Sequence, residues 1–299
     1  MIIEKIVSKQ DGLLLEIARM DHENPKGIIQ ISHGMAEHKE RYYDFMQYLN
    51  QNGYVVVIHD HRGHGQSVKS KEDYGYFYTE DIHYIVEDLY QVTQYIQSLY
   101  PNVDITLFAH SMGTLVARCY LKKYDNKIKR LILSGPPTQN SAASLGLLLA
   151  KVLKSIYKEK KENKVLNAMA FAGYGKGYDW LSANVENVKA YETDELCGFL
   201  FTTNGFINLF QLMIESFNTK NWDVKNKDLP ICLMAGQKDP VIQNEKKFEE
   251  LKIFLKNVGY HHVESILYPN LKHEILNENE NQMVYKDVLS FIKKEKLDS

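Results

Sequence analysis

A serine hydroxyl is a poor nucleophile at neutral pH unless a base takes its proton and an acid orients that base. Three separated segments of this chain hold such a set: Ala109-His110-Ser111-Met112-Gly113, Gly236-Gln237-Lys238-Asp239-Pro240 and Lys272-His273-Glu274. Small-x-Ser-x-Gly strings arise by chance in many chains, so the signal lies in the combination. Each segment follows a run that reads as a strand, and the order along the chain is Ser, Asp, His. The spacing predicts an enzyme with Ser111 as nucleophile, Asp239 as orienting acid and His273 as base. Should Asp239 not serve, Glu274 and Asp223 are the next acids to consider.

The chemistry requires Ser111 on a tight strand-to-helix turn, where the residues two before and two after are crowded and usually glycine. Gly113 meets this, whereas Ala109 adds a methyl that could displace the turn. The plainer alternative is a serine that only caps the helix beginning at Met112. If the turn forms, the Met112 amide at the helix N-terminus points toward a developing oxyanion. A second donor is expected from His33-Gly34-Met35-Ala36-Glu37-His38, where Gly34 lets the backbone turn and the Met35 amide would donate. His33 is an alternative base but reads as structural, because His273 already occupies the required place in the order. His59-Asp60-His61-Arg62-Gly63-His64-Gly65-Gln66-Ser67 invites a metal reading. His59 and His61 alternate at strand spacing, however, and no second ligand cluster accompanies them. A loop braced by Asp60, Arg62 and the glycines is the better account, and neither metal nor cofactor is expected.

These residues need a scaffold, and the hydrophobic pattern supplies one. Strands are expected over 2–8 and 13–18, turning at Asp11-Gly12, and again over 27–32, 54–59, 103–109, 128–134, 230–235 and 262–268. Helices are expected over 40–50, 112–123, 245–257 and 281–294. Ile82, Ile85, Leu89, Val92, Ile96 and Leu99 mark the buried face of another. Alternating strands and helices imply an α/β fold with a mostly parallel, doubly wound sheet and ligands outside the strand C-termini. Every candidate catalytic residue falls at such an end. Residues 136–228 break the rhythm and look largely helical, which predicts a helical cap or lid inserted into a core of 1–135 and 229–299.

The bulk numbers exclude little. With 299 residues, 25% charged residues and a net charge of −2, the chain shows no excess of sign that would point to nucleic acid. Cys119, Cys197 and Cys232 are odd in number and lie in apolar runs, as buried free thiols do. No secretory signal and no apolar run of membrane-spanning length is visible, so a cytoplasmic location is expected. Nothing in the pattern fixes an oligomeric state.

The segment 33–38, Asp60-His61-Arg62-Gly63-His64-Gly65-Gln66-Ser67, His110-Ser111-Met112-Gly113, Asp239-Pro240-Val241 and 273–278 together resemble the monoacylglycerol lipase and lysophospholipase branch of the α/β-hydrolase fold. The likeness extends into the insertion, at Asp179-Trp180-Leu181-Ser182 and Cys197-Gly198-Phe199. It implies Ser111, Asp239 and His273 as the catalytic triad, Met35 and Met112 as oxyanion donors, and a single-acyl-chain lipid ester as substrate, cleaved through an acyl-enzyme. Besides Ala109, this chain lacks the glycine often found shortly before the histidine, reading Pro269-Asn270-Leu271-Lys272-His273.

Phe171, Phe199, Phe201, Phe206, Phe210, Met213 and Phe217 concentrate large apolar groups in the insertion, where some would pack its own core and others line an acyl cleft. Leu147, Leu148, Val152, Leu153 and Ile156 form a stripe opposite Lys151, Lys154, Lys158, Lys160 and Lys161. That pattern fits peripheral contact with a lipid surface, or an ordinary solvated helix face. A thioesterase, a non-lipid esterase, an acyltransferase, an S33-type aminopeptidase or a non-catalytic ligand-binding relative would share much of this machinery. The sequence shows no acidic pocket for a substrate amino terminus, and a receptor has no need of all three triad groups.

Overall fold

The computed structural model describes residues 1–156 and 158–294. Eight strands form one sheet in the order β1-β2-β4-β3-β5-β6-β7-β8. They are β1 (Ile2–Val7), β2 (Leu14–Met20), β3 (Ile28–Ser32), β4 (Val55–His59), β5 (Ile105–His110), β6 (Arg130–Ser134), β7 (Ile231–Gly236) and β8 (Val263–Tyr268). The hairpin partner β2 runs antiparallel to both β1 and β4, and all other pairings are parallel. The mostly parallel sheet expected from the alternation is therefore present.

Strands β3, β4, β5 and β7 are buried along their whole length, which explains their runs of Val, Ile and Leu. Side chains still alternate between two cores. Ile29, Ile31, Val56, Ile58, Phe108 and Ile132 face helices α1 (Tyr43–Gln51) and α9 (Asn281–Lys293). Ile28, Val55, Val57, Leu107, Leu131 and Leu133 face α2 (His83–Leu99), α3 (Met112–Tyr124) and α8 (Glu245–Val258). The stripe on α2 is buried through Ile96, but Leu99 at its end is 44% exposed. The expected helix over 40–50 opens with a 3-10 turn over Lys39–Tyr42.

Between β6 and β7 the chain leaves the sheet to build α4 (Ala142–Ile156), α5 (Lys164–Ala170), α6 (Val185–Thr193) and α7 (Thr203–Glu215). Helix α4 packs on α7 through its small residues, so closely that a methyl at Gly146 would lie 2.9 Å from the Phe210 ring. The large apolar residues consequently point away. Leu145, Leu148, Val152 and Ile156 are 51–70% exposed, while Leu147 and Leu153 are partly buried, so the stripe read as one face divides into two. No helix among the described residues is long and apolar enough to cross a membrane.

Candidate active site

The turn between β5 and α3 places Ser111 at φ +50° and ψ −119°, a left-handed conformation that side chains avoid without compensation. The compensation is visible. The Ser111 amide donates to the Ser134 carbonyl at 2.9 Å, and the Ser111 carbonyl accepts from the amide and hydroxyl of Thr114 at 2.9 and 2.7 Å. Gly113 is required because a Cβ there would sit 2.3 Å from the Ser32 carbonyl oxygen. Ala109 needs no such relief. It is fully buried in β5, paired with Ser32 and Leu133, and the turn keeps its geometry with the methyl in place.

Asp239 follows β7 and His273 follows β8. The imidazole Nδ1 lies 2.8 Å from Asp239 Oδ2, and both side chains are buried. The second carboxylate oxygen, Oδ1, accepts the Val241 amide at 2.8 Å, which fixes the acid's rotation. Burial alone would lower the His273 pKa. The Asp239 charge and hydrogen bond, with Glu274 and Glu37 nearby, outweigh it and raise the pKa above its ordinary value. Gly135, at φ +53°, makes room for the ring, since a Cβ there would stand 2.9 Å from Nδ1. In the loop before the histidine Asn270 adopts φ +67°, a conformation that asparagine tolerates better than most residues.

The loop after β3 reaches the same edge. The Glu37 carboxylate folds back on it, accepting the Gly34 amide and the Tyr42 hydroxyl, the latter at 2.8 Å. Among the described residues, the amides of Met35 and Met112 donate to no acceptor within the protein. His33 is committed elsewhere: Nδ1 donates to the Gly34 carbonyl at 2.8 Å, and Nε2 accepts the His61 amide at 2.9 Å. With His59, His61 and His64 it forms a buried cluster of tilted and edge-on imidazoles whose pKa values burial pushes down, to about 4 for His59 and His64. Asp60 braces the loop as expected, accepting Lys39 Nζ at 2.9 Å and the amides of Lys39 and Gln66.

Ser111, Met35, Met112 and His273 line one cavity of about 430 Å³, and Asp239 stands behind His273. Of the phenylalanines expected there, Phe171, Phe199 and Phe210 line it with Met213. Phe201 and Phe206 do not: they are fully buried beneath it, Phe201 against His64 and Phe77. Phe217 packs on Phe254. The alternative acids are also committed. Asp223 is exposed beside Lys225, and Glu274 is held by Arg41 through two bonds of 2.5 and 2.7 Å. That bridge keeps the Glu274 pKa near about 2, against the opposing effect of burial. All three cysteines are buried free thiols.

Sequence reasoning missed several residues around the site. Trp180 places its ring 5.2 Å from that of His273, and His110, at 4.7 Å, has its pKa pushed down by burial to about 3. Arg41 bridges Glu274 and Glu37 while donating to Asn187 on α6. These partners are far apart in the chain, and no local pattern announces them.

A family model described as "Serine aminopeptidase, S33" matches residues 23–280. Among curated proteins, a monoacylglycerol lipase of Mycolicibacterium smegmatis is 26% identical, over 90% of this chain and 89% of its own. A probable lysophospholipase L2 of Haemophilus influenzae is 25% identical over 87% of this chain and 81% of its own. Among solved structures, a highly thermostable carboxyl esterase from Bacillus coagulans in complex with glycerol superposes with a TM-score of 0.86. It is 25% identical, and the match covers 97% of each chain.

Proposed function

The chain belongs to the S33 serine aminopeptidase family of α/β-hydrolases and is a carboxylic-ester hydrolase, and on that basis we propose that it cleaves single-acyl-chain lipids through an acyl-enzyme on Ser111. The observation that carries the reading is a His273 backed by Asp239 at 2.8 Å and sharing one apolar-walled cavity with a serine held at φ +50°. Ser111 Oγ attacks the ester carbonyl while His273 Nε2 takes its proton, and Asp239 supports the imidazolium that results. The amides of Met35 and Met112 receive the oxyanion. His273 then gives the proton to the departing alcohol, and a water molecule repeats the sequence to release the fatty acid.

Residues 136–228 act as the cap and supply the apolar wall, through Phe171, Phe199, Leu209, Phe210 and Met213. The exposed ridge of Leu145, Leu148, Val152 and Ile156 fits contact with a lipid surface. Its lysine neighbours contribute less free charge than their number implies, since Lys154 pairs with Glu80 and Glu159 and Lys160 with Asp73. An aminopeptidase is disfavoured because the acids lining the cavity, Glu37 and Glu274, are both bonded to Arg41 rather than free for a substrate amine.

The test is Ser111→Ala together with labelling by a fluorophosphonate. The wild-type protein should be labelled with one equivalent and should hydrolyse monoacylglycerol. The folded variant should do neither, and wild-type turnover by it would remove the proposal.

A further inference from the structure

Ala36 is the one residue of the expected oxyanion loop that is strained, with φ +51° and a side chain that cannot relieve it. Its carbonyl carries an unusual pair of donors, both from the inserted segment: one on a helix and one in the loop that follows it. The Tyr191 hydroxyl on α6 donates to it at 2.9 Å, and the Gly198 amide does so at 2.9 Å. We propose that Tyr191 is a positioning residue for the reaction: with the Gly198 amide it holds the Ala36 carbonyl, and so fixes the strained turn that aims the Met35 amide at the oxyanion.

The geometry places Met35 between two fixed points. On its N-terminal side the Gly34 amide is held by Glu37, a contact internal to the core. On its C-terminal side the Ala36 carbonyl is held from the cap. Two further ties join the same pieces. His38 Nε2 lies 2.8 Å from Asp194 Oδ2, and the Arg41 guanidinium sits 4.8 Å from the centre of the Tyr191 ring. Burial keeps the Tyr191 phenol protonated and hence a donor across the range in which the enzyme would work. Without the hydroxyl, the Ala36 carbonyl would keep only the Gly198 amide, and the left-handed turn would compete with relaxed forms that point the Met35 amide elsewhere. The cap would then serve catalysis as well as substrate selection, and opening it would disassemble half of the oxyanion hole.

The proposal rests on the serine-hydrolase reading above, and the two can fail separately. Tyr191→Phe removes one oxygen atom and keeps the ring. It should lower kcat/KM for p-nitrophenyl acetate, a substrate too short to use the acyl cleft, by roughly tenfold. That is less than the ~10²–10³ lost when an oxyanion donor itself is deleted. Inhibition by a long-chain alkyl trifluoromethyl ketone, whose carbonyl carbon is attacked by Ser111 Oγ to leave an oxyanion, should weaken by the same factor. Binding of the matching fatty alcohol, which forms no oxyanion, should not change. Ala36→Gly in the Tyr191→Phe background eases the left-handed turn and should recover activity severalfold. A loss below twofold would overturn the proposal. So would a loss confined to substrates with a glycerol headgroup, which would make Tyr191 a reader of the leaving group, or one that Ala36→Gly leaves untouched. Hydrolysis by Ser111→Ala would instead remove the nucleophile assignment, whatever Tyr191→Phe does.

Discussion

Acid should destabilise this fold well before its carboxylates titrate, because it buries imidazoles that the unfolded chain would protonate. His59, His64 and His110 have pKa values pushed down by burial to about 4, 4 and 3, and His33 and His61 are held well below their ordinary value. A group with a lower pKa in the folded state contributes stability that is full above the unfolded value of ~6.5 and is lost as pH falls below it. Between about pH 7.5 and pH 5, each of the first three should forfeit about 2 kcal/mol, so about 6 kcal/mol together. Three groups act in the opposite direction. His273, raised by Asp239, and Glu37 and Asp88, raised by burial, bind protons more readily folded than unfolded. His33 and His61 add to the loss from the first three, so a net loss of stability should remain, taken from the ~5–15 kcal/mol that a domain possesses. Urea unfolding at the two pH values, followed by the fluorescence of Trp180 and Trp222, measures it directly. His59 allows a sharper measurement, since neither ring nitrogen has a hydrogen-bond partner in the fold. His59→Leu should be close to wild type in stability at about pH 7.5 and should lose about 2 kcal/mol less on acidification. A wild-type stability that changes by under about 1 kcal/mol between these conditions would refute the reasoning, as would an undiminished slope in His59→Leu.

Asp239→Asn should leave the fold intact and lower kcat by about 10⁴, because an amide cannot support the His273 imidazolium; a loss under about tenfold in steady-state assays would require another orienting acid. The acid limb of kcat/KM should lie above the ordinary histidine value of ~6.5, since His273 must be neutral to act and its pKa is raised; a midpoint below that value would contradict the Asp239 interaction. Across a monoacylglycerol series below aggregation limits, kcat/KM should rise severalfold per carbon until the cleft fills, as each buried methylene contributes up to about 0.8 kcal/mol. Phe210→Ala should blunt that rise while sparing acetate esters. Phe201→Ala, which empties a core position, should instead lower stability by about 3–5 kcal/mol without a matching change in preference.

What the sequence revealed is what short-range rules govern. The crowded turn at Ser111 demanded Gly113 within two residues, and the strands that lead to Ser111 and Asp239 are buried on both faces and so appear as largely apolar runs. A pattern of types also has limits where a role can be filled in two ways. The glycine often found before the histidine is absent, yet Asn270 in that loop adopts a positive φ. On α4 the apolar stripe was real, but its inner face was chosen by the smallest residues. Ala143, Gly146 and Ala150 let the helix close on Phe210, and Leu145, Leu148, Val152 and Ile156 were left outside. Hydrophobicity alone would have ranked those faces the other way. Phe201 turns out to be core and Phe210 cleft, a division the sequence leaves open because composition places a ring in a region and not on a surface.

The contacts that join the cap to the catalytic edge lie beyond any such reading, for a physical reason. Ala36 and Tyr191 are 155 positions apart, and His38 and Asp194 are 156 apart, so their pairing depends on the insertion being folded. Ala36 and Tyr191 by themselves have ordinary local roles: an alanine in a loop and a tyrosine on a helix. Their significance comes from strain at one and donors at the other. A left-handed alanine is tolerated only where surrounding contacts over-determine it. Here those contacts come from the segment that also walls the substrate cavity. On the proposed mechanism, the same chain segment would both contact the acyl chain and hold the amide that stabilises its transition state. That coupling would let occupancy of the cleft favour the closed, fully assembled oxyanion hole over forms in which the Ala36 turn has relaxed.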